Sequence, residues 1–203
     1  MTRRFSGGKL VIASHNRGKL QEFAALLAPL NVTCVSAADL GLAEPEETES
    51  TFIGNARIKA CAASRATGLP ALADDSGLTV DALGGAPGVY TADWAATPSG
   101  RDFGMAMEKT WALLDSVKAP LPRTAQFRCT LLLHWPDGHE EAFGGVASGM
   151  LVWPCRGAEG HGYDPMFQPD GHSITFAQMS EVEKNTISHR GKAVDALLKA
   201  CFT

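Results

Sequence analysis

Two adjacent carboxylates, Asp74 and Asp75, follow an apolar run and precede a serine and a glycine. The run over 69–73 is typical of a buried strand, and we expect this strand to end at Ser76-Gly77. Because successive side chains of a strand point to opposite faces, the two carboxylates should serve different partners. One of them could serve Mg²⁺ or a water molecule, since acidic pairs at strand ends accompany phosphate chemistry. A solvated turn is equally compatible with these residues alone.

A second group of polar residues lies between a predicted strand and a predicted helix: Ser14, His15, Asn16, Arg17, Gly18 and Lys19. Backbone N–H groups and the helix dipole can bind an anion at such a junction, and the lysine adds a positive charge. The spacing is not that of a Walker A motif, because Ala13 stands at the first glycine position and Leu20 follows the lysine. Phosphate binding and an ordinary strand-to-helix turn both remain open.

Acidic residues precede the next predicted helix, and two polar residues share one side of it. Glu46 and Glu47 belong to an acidic loop leading into the helix, where carboxylates favour the positive end of the dipole. Asn55 and Lys59 are four residues apart and therefore lie on the same face. That face could point to a site or to water, and the acidic loop could simply be solvated.

Two segments of the second half of the chain also combine polar and small residues. The first is a stiff glycine-rich loop with an aromatic ring and a carboxylate: Gly160, His161, Gly162, Tyr163, Asp164 and Pro165. The second carries Lys184, His189 and Arg190 just before a predicted helix. Arginine offers a fork of donors, and histidine can donate to a carbonyl group. A structural turn and a charged helix entry remain the alternatives to ligand binding.

The composition limits the classes of protein to consider. The chain has 203 residues, of which 45% are hydrophobic and 20% charged, as in a globular domain. The net charge is −4 and no basic tract is present, so we expect no nucleic-acid partner. No apolar run reaches the roughly 18 residues of a membrane span, so we expect no membrane partner. The five cysteines are scattered, without a C-x-x-C pair, which is typical of the reducing cytoplasm.

Strands and helices alternate at both ends of the chain, around a middle rich in strand signals. We predict strands over Lys9–Ser14 and Val32–Ser36, helices over Lys19–Leu27, Phe52–Ala66, Asp102–Val117 and Arg190–Cys201, a hairpin over Gln126–Trp135 and Glu140–Ala147, and an ordered loop over Gly157–Gly171. Ser50 or Thr51 should cap the second helix. The alternation predicts an α/β fold with a mixed sheet. We expect a single domain, residues 1–203, with two lobes.

Taken in order, five of these segments resemble the inosine triphosphate pyrophosphatase family. They are S-H-N-R-G-K, E-E-T-x-x-T-F-x-x-N-A-x-x-K-A, A-D-D-S-G-L-x-V-D-A-L-G-G-A-P-G-V-Y, G-Y-D-P-x-F and E-K-N-x-I-S-H-R-G. The match extends from about Leu10 to about Leu198. Five separated motifs in the family's order are far more specific than any one of them.

The resemblance implies a Mg²⁺-dependent enzyme that hydrolyses non-standard purine nucleoside triphosphates such as ITP, dITP and XTP. The products are the nucleoside monophosphate and pyrophosphate, and the reaction removes these nucleotides from the cellular pool. The implied fold is a long twisted mixed sheet flanked by helices, with two lobes, a central active-site cleft and usually a homodimer. The alternatives are a pyrophosphatase for other modified nucleotides and a nucleotide-binding module without turnover.

The resemblance also implies roles in phosphate chemistry. The segment from Ser14 through His15, Asn16, Arg17 and Gly18 to Lys19 would hold the triphosphate. Lys19 and Lys59 would meet its negative charge. Glu47, together with Glu46, and Asp75 would organise Mg²⁺. Asp75 would also orient or deprotonate the attacking water, with Asp74 in support.

On the base side, the resemblance implies that Ser76 touches the nucleotide. The base pocket would be formed by His161, Gly162, Tyr163, Asp164, Lys184, His189 and Arg190. The family usually has phenylalanine, which stacks on the base, where this chain has His161. An imidazole ring can also stack but offers less apolar area, so this departure bears on base affinity rather than on the type of reaction.

Overall fold

The computed structural model describes residues 2–15, 20, 23–24, 27–30 and 32–202. Its strands are β1 (Gly8–Ile12), β2 (Val32–Ser36), β3 (Ala71–Val80), β4 (Ala96–Thr97), β5 (Gly100–Arg101), β6 (Thr124–His134), β7 (Glu140–Leu151) and β8 (Phe167–Pro169). Its α-helices are α1 (Phe52–Thr67), α2 (Phe103–Ser116), α3 (Glu181–Ile187) and α4 (His189–Leu197), and a π-helical turn, Leu198–Phe202, follows α4. The described residues of the predicted helix over Lys19–Leu27 are helical, and the rest of that segment lies outside the described residues.

Six strands form one mixed sheet in the order β2-β1-β3-β6-β7-β8. Strand β1 runs parallel to both β2 and β3, with Leu10 opposite Cys34 and Val11 opposite Ala71. Strand β8 runs antiparallel to β7. Strands β4 and β5 form a separate two-stranded ribbon. The predicted α/β fold with a mixed sheet flanked by helices is confirmed.

The chain divides into two compact units. Unit 1 contains residues 1–75, 129–144 and 193–203, and unit 2 contains residues 76–128 and 145–192. Unit 1 has two apolar clusters, because alternate residues of its strands face opposite ways. Leu10, Ile12 and Leu72 belong to one cluster, and Val11 and Ala71 belong to the other.

Unit 2 has an apolar core of its own, which includes aromatic residues. Phe127, Tyr163, Phe167 and Phe176 are buried in this cluster, together with residues of β3 and α2. Three of these rings form a connected group, with centroid distances of 4.7 Å between Phe127 and Phe167 and 5.0 Å between Phe167 and Phe176. These packed rings therefore provide a rigid apolar surface against which polar residues of unit 2 can lie.

Helix α1 is fixed at both ends and buries a face of small residues. The Thr51 hydroxyl accepts the backbone N–H of Gly54, so this residue is the N-cap, as one of the two predicted candidates. Gly68 ends the helix in the left-handed conformation, with φ of 67°. Three alanines of the helix, at positions 56, 60 and 63, belong to the cluster that contains Val11 and Ala71. The helix therefore lies close to the sheet.

Two predictions about irregular structure are wrong. Strand β3 does not end at Ser76-Gly77 but continues to Val80, because Leu78 and Val80 are fully buried in the core of unit 2. The segment Gly157–Gly171 is not loop throughout, since it contains strand β8 and a 3₁₀ turn over Asp164–Met166. Within the described part of the chain, no helix is long and apolar enough to cross a membrane.

Candidate active site

The Asp74-Asp75 pair lies inside a buried strand rather than at its end. Asp74 is 3% exposed and Asp75 is 7% exposed. Ala71 and Ala73 pack in the cluster that contains the alanines of α1, whereas Leu72 belongs to the opposite cluster. Asp75 continues the series of Ala71 and Ala73 and therefore faces α1. The expectation that the two carboxylates serve different partners is consistent with this alternation.

Asn55 of α1 contacts Asp75 directly. Its Nδ2 atom donates to Oδ2 of Asp75 at 3.2 Å, and its Oδ1 atom accepts the backbone N–H of Glu49 at 3.0 Å. The side chain is 2% exposed. A buried amide that uses both its donor and its acceptor is held in a single orientation.

Lys59, one helical turn after Asn55, forms an ion pair with Glu47. The Nζ atom lies 2.7 Å from Oε1 of Glu47, and the lysine side chain is only 10% exposed. Of the two acidic residues considered in the loop, Glu47 is therefore the one that reaches Lys59. The face shared by Asn55 and Lys59 points to the carboxylates and not to water.

Opposing influences act on the ammonium group of Lys59. Burial alone would lower its pKa, but the hydrogen bond to Glu47 and the charges of Asp74 and Asp75 outweigh burial and raise the pKa above its ordinary value. The lysine therefore stays charged at neutral pH. A fixed positive charge in a partly buried, carboxylate-rich site is suited to binding a phosphate group.

These carboxylates suit a metal that arrives with a ligand better than one bound by protein alone. Within the described part of the chain, no three His, Cys, Asp or Glu side chains lie close enough to hold a metal ion. Mg²⁺ usually binds one or two carboxylates and completes its shell with water and substrate phosphates. The oxygen donors of Glu47 and Asp75 fit that mode of binding.

His15, in the described part of the segment 14–19, lines a small cavity in unit 1. Nε2 of His15 is 2.8 Å from the carbonyl oxygen of Leu42, which joins the end of β1 to the loop after β2. The Ser14 backbone N–H donates to the carbonyl of Ile12. The cavity of about 200 Å³ is lined mainly by small apolar side chains, with His15 and Lys59 among its polar residues. Asn16, Arg17, Gly18 and Lys19 lie outside the described residues.

In unit 2, the predicted glycine-rich loop forms a tight turn around Asp164. The carboxylate is 2% exposed, and its Oδ2 atom accepts the backbone N–H of His161 at 2.6 Å and an N–H of Lys184. Gly160 has a φ of 76°, and a Cβ atom there would lie 2.2 Å from Oδ2 of Asp164. Asp164 thus fixes both the turn and Lys184, while His161 is exposed.

Aromatic rings support the charged residues that follow. The His189 ring stacks on Phe127 with centroids 4.9 Å apart and an interplanar angle of 12°. Nζ of Lys184 lies 5.5 Å from the centre of the Phe176 ring. Arg190 follows His189 in the first turn of α4. His189 and Lys184 therefore lie against aromatic rings of the core of unit 2.

Three other predicted residues have distinct surroundings. Tyr163 is 1% exposed and packs edge-on against Phe103, with centroids 5.9 Å apart, so it belongs to the core beneath the turn. Burial raises the pKa of its phenol to about 12, despite a lowering contribution from Thr110. Gly162 has a φ of 67°, which a side chain would disfavour. Ser76 is half-buried and directly follows Asp75 in β3.

The sequence does not place two residues that the structure brings to these groups. Asn55 shares a helix face with Lys59, but periodicity cannot tell whether that face points to a site or to water. Phe127 belongs to a predicted hairpin strand, and its apolar character is that of any core residue. The stacking of His189 on Phe127 joins residues 62 positions apart in the chain, and no local pattern indicates it.

Comparisons with known proteins identify the family of this chain. The pattern that defines the Ham1 family matches residues 10–200. The chain is 65% identical over 202 residues to the dITP/XTP pyrophosphatase of Ruegeria pomeroyi, which covers 100% of this chain and 99% of that protein. It is 56% identical to the dITP/XTP pyrophosphatase of Rhodospirillum centenum, with 98% of each protein covered.

A solved structure shows the same fold. The HAM1 protein from Coxiella burnetii superposes with a TM-score of 0.89 at 38% sequence identity, over 94% of this chain and 96% of that one. Sequence and fold are thus both similar over nearly the whole length. The chain therefore belongs to the Ham1 family.

Proposed function

We propose that this protein hydrolyses non-standard purine nucleoside triphosphates, such as dITP, XTP and ITP, to the monophosphate and pyrophosphate. Relatives named dITP/XTP pyrophosphatase support the reaction and the substrate class. The structural observation that supports it most directly is the buried Lys59 beside Glu47, Asp74 and Asp75. This group combines a fixed cation with carboxylates, which phosphoanhydride hydrolysis needs.

The residues of unit 1 account for the phosphate chemistry. Attack at the α-phosphorus requires an oriented water and compensation of the charge that develops on the leaving pyrophosphate. Lys59 supplies a permanent positive charge for the phosphate oxygens. Asp75, oriented by Asn55, holds the water and accepts its proton, and Asp74 adds to the negative field that keeps Lys59 charged. In the proposal, Ser14, His15 and the segment 16–19 also contact the triphosphate.

We include Mg²⁺ in this proposal. Glu47 and Asp75 would hold the ion, with Glu46 near it on the same loop. When bound, Mg²⁺ neutralises phosphate charge and lowers the pKa of water. Because Lys59 already pairs with Glu47, the ion would compete with that ammonium for the carboxylate.

The residues of unit 2 account for base selection. Hypoxanthine and xanthine carry a 6-keto oxygen, which accepts hydrogen bonds, whereas adenine carries an amino group at that position. His189, Arg190 and Lys184 offer donors, so a 6-keto base is matched and adenine is not. Buried donors that lose their acceptor can produce discrimination of about 10⁴-fold. In this proposal His161 and the turn over 161–164 stack against the base, and Ser76 contacts the nucleotide.

We also propose that the protein acts in the cytoplasm as a homodimer. None of the five cysteines forms a disulfide bond, as is usual in a reducing compartment. Several large apolar side chains of unit 2 are exposed and could be covered by a second copy, including Leu121 at 78% and Val117 at 54% exposure. Light scattering of the purified protein tests the dimer, with a monomer mass as the contradicting result.

The proposed reaction is tested by measuring pyrophosphate and orthophosphate separately. The purified protein is incubated with Mg²⁺ and each of dITP, XTP, ITP, GTP, ATP and dUTP. Rapid pyrophosphate release from dITP, XTP and ITP, with little from ATP, is expected. An Asp75→Asn variant should lose turnover by orders of magnitude and still bind nucleotide. Activity confined to dUTP would overturn the substrate class, and binding without turnover would indicate a nucleotide-binding module.

A further inference from the structure

Asn55 is the residue of α1 that joins two parts of the phosphate-handling group. Its amide N–H donates to the Asp75 carboxylate, and its amide oxygen accepts the backbone N–H of Glu49. Glu49 lies two residues after Glu47 in the acidic loop. The same side chain therefore contacts the proposed water-orienting residue and the loop that carries the partner of Lys59.

The loop is close to the helix at this point. A Cβ atom at Gly54 would lie 2.6 Å from Cβ of Glu49 and 2.9 Å from the Thr51 hydroxyl. Only a glycine at this position leaves room for the loop, even though glycine disfavours a helix. Asn55, directly after it, then reaches the Glu49 backbone without displacing the chain.

Few other side chains can make this pair of contacts. Aspartate has the same shape and keeps the acceptor for Glu49, but its ionised form has no donor for Asp75. Leucine has a similar volume and offers neither the donor for Asp75 nor the acceptor for Glu49. The 2% exposure of Asn55 also means that water cannot readily replace a lost partner.

We propose that Asn55 is a positioning residue, which fixes the rotation of the Asp75 carboxylate and at the same time holds the acidic loop against α1. This inference rests on the proposed function, because it assigns Asn55 an effect on turnover through Asp75. As a positioning residue, Asn55 acts through Asp75 and not on the substrate itself. Its loss should therefore reduce kcat much more than it raises KM.

The test uses two substitutions that separate the two contacts. Asn55→Asp removes the donor to Asp75 and keeps the acceptor for Glu49, whereas Asn55→Leu removes both. We expect kcat for dITP to fall roughly 10–100-fold in both variants, as is typical when a partner of a functional group is removed. KM should change by less than about threefold. Ser64→Ala is the matched control, because Ser64 is equally buried on α1 and its hydroxyl has no hydrogen-bond partner.

A second measurement does not depend on turnover. Hydrogen exchange of the Glu49 amide should be slow in the wild type and in Asn55→Asp, and at least about tenfold faster in Asn55→Leu. Gly54→Ala, which crowds the loop without altering Asn55, should also speed this exchange. Unchanged Glu49 exchange in a folded Asn55→Leu variant would overturn the loop contact.

The outcomes separate this inference from the proposed function. A wild type that releases no pyrophosphate contradicts the proposed function, and Glu49 exchange still decides whether Asn55 holds the loop. An active wild type with a folded Asn55→Asp variant that retains kcat within about twofold contradicts the inference alone. Thermal unfolding of each variant confirms that it is folded, and Asn55→Asp decides the matter if Asn55→Leu does not fold.

Discussion

The two groups of candidate site residues are held in place by different physical means. In unit 1, Lys59 is surrounded by carboxylates, and Asp75 and the acidic loop are joined by the hydrogen bonds of Asn55. In unit 2, His189 stacks on Phe127, and Lys184 lies over an aromatic ring as well as beside Asp164. Charge therefore positions the first group, while shape and packing contribute more to the second. Substitutions in the first group should therefore lower turnover, and substitutions in the second group should lower selectivity for the base.

The largest effect is expected from Lys59→Met, which keeps the length of the side chain and removes its charge. Glu47, Asp74 and Asp75 would lose their internal cation, and phosphate would lose its fixed partner. We expect kcat/KM for dITP to fall by about 100-fold or more. Steady-state kinetics check this result.

The control for that substitution is Arg57→Gln on the same helix. Arg57 forms an exposed ion pair with Glu140, a kind of contact that contributes little to stability. Its replacement should leave kcat/KM within about twofold. If Lys59→Met retained more than a tenth of wild-type activity, charge would not be what organises the first group.

Phe127→Leu should have a smaller effect, of a different kind. Loss of the flat ring removes the surface that fixes the plane of His189. Such aromatic contacts contribute about 0.5–1.5 kcal/mol, or roughly 2–10-fold. We expect kcat/KM for dITP to fall by that factor and the preference for dITP over dATP to fall with it.

Trp153→Leu provides a matched comparison within unit 2. Trp153 stacks on Trp111 with centroids 5.9 Å apart, and neither residue belongs to the proposed base pocket. Trp153→Leu should lower the stability and leave the ratio of kcat/KM for dITP to that for dATP unchanged. An equal loss of selectivity in both variants would show that packing acts generally and not through His189.

Gly160→Ala tests the turn that holds Asp164. Gly160 and Gly171 have similar left-handed conformations, with φ of 76° and 79°, but only a Cβ at Gly160 would meet a nearby atom. Because both replacements place alanine in a left-handed conformation, the free-energy cost of that conformation should be similar in Gly160→Ala and Gly171→Ala. We expect the first to lower the free energy of unfolding by about 1–3 kcal/mol more than the second. Urea denaturation measures the difference, and equal values would contradict the crowded turn.

The last prediction concerns the pH dependence of stability and not the activity. The pKa of Tyr163 is raised to about 12, so the folded protein keeps this proton when an unfolded chain would lose it near pH 10. The resulting stabilisation is present below about pH 10 and is lost as the pH rises towards about 12. A Tyr90→Phe variant leaves Tyr163 as the sole tyrosine. Its absorbance titration near 295 nm should have a midpoint near 12, and a midpoint near 10 while circular dichroism still shows a folded chain would contradict the burial effect.

Much of the fold follows from local patterns, but some features depend on distant residues. The Thr51 cap and the helix after it are encoded by neighbours in sequence, and so were predictable. The end of β3 was not, because Ser76-Gly77 carries a turn signal that the burial of Leu78 and Val80 overrides. Turn propensity is weak compared with the free energy of burying two large apolar side chains.

The candidate site was predictable to a similar extent. The resemblance implies which residues would take part, because their types and order recur as motifs, and these roles stay predictions. It did not indicate that Asn55 faces Asp75, because a helix pattern defines a face without saying what lies opposite. That Glu47 and not Glu46 reaches Lys59 likewise depends on the path of an irregular loop.

The alanine face of α1 has a consequence for how this sequence can change over generations. Ala56 and Ala60 have no exposed surface and pack in one cluster with Ala71 of β3. A larger side chain at any of these positions would push the helix outward, and Asn55 and Lys59 would move with it. Mutational tolerance should therefore also be low at residues that carry no chemistry. A library screen should recover enlargement at Ala60 only together with a smaller side chain elsewhere in the same cluster, to which Leu132 also belongs, for example Leu132→Ala.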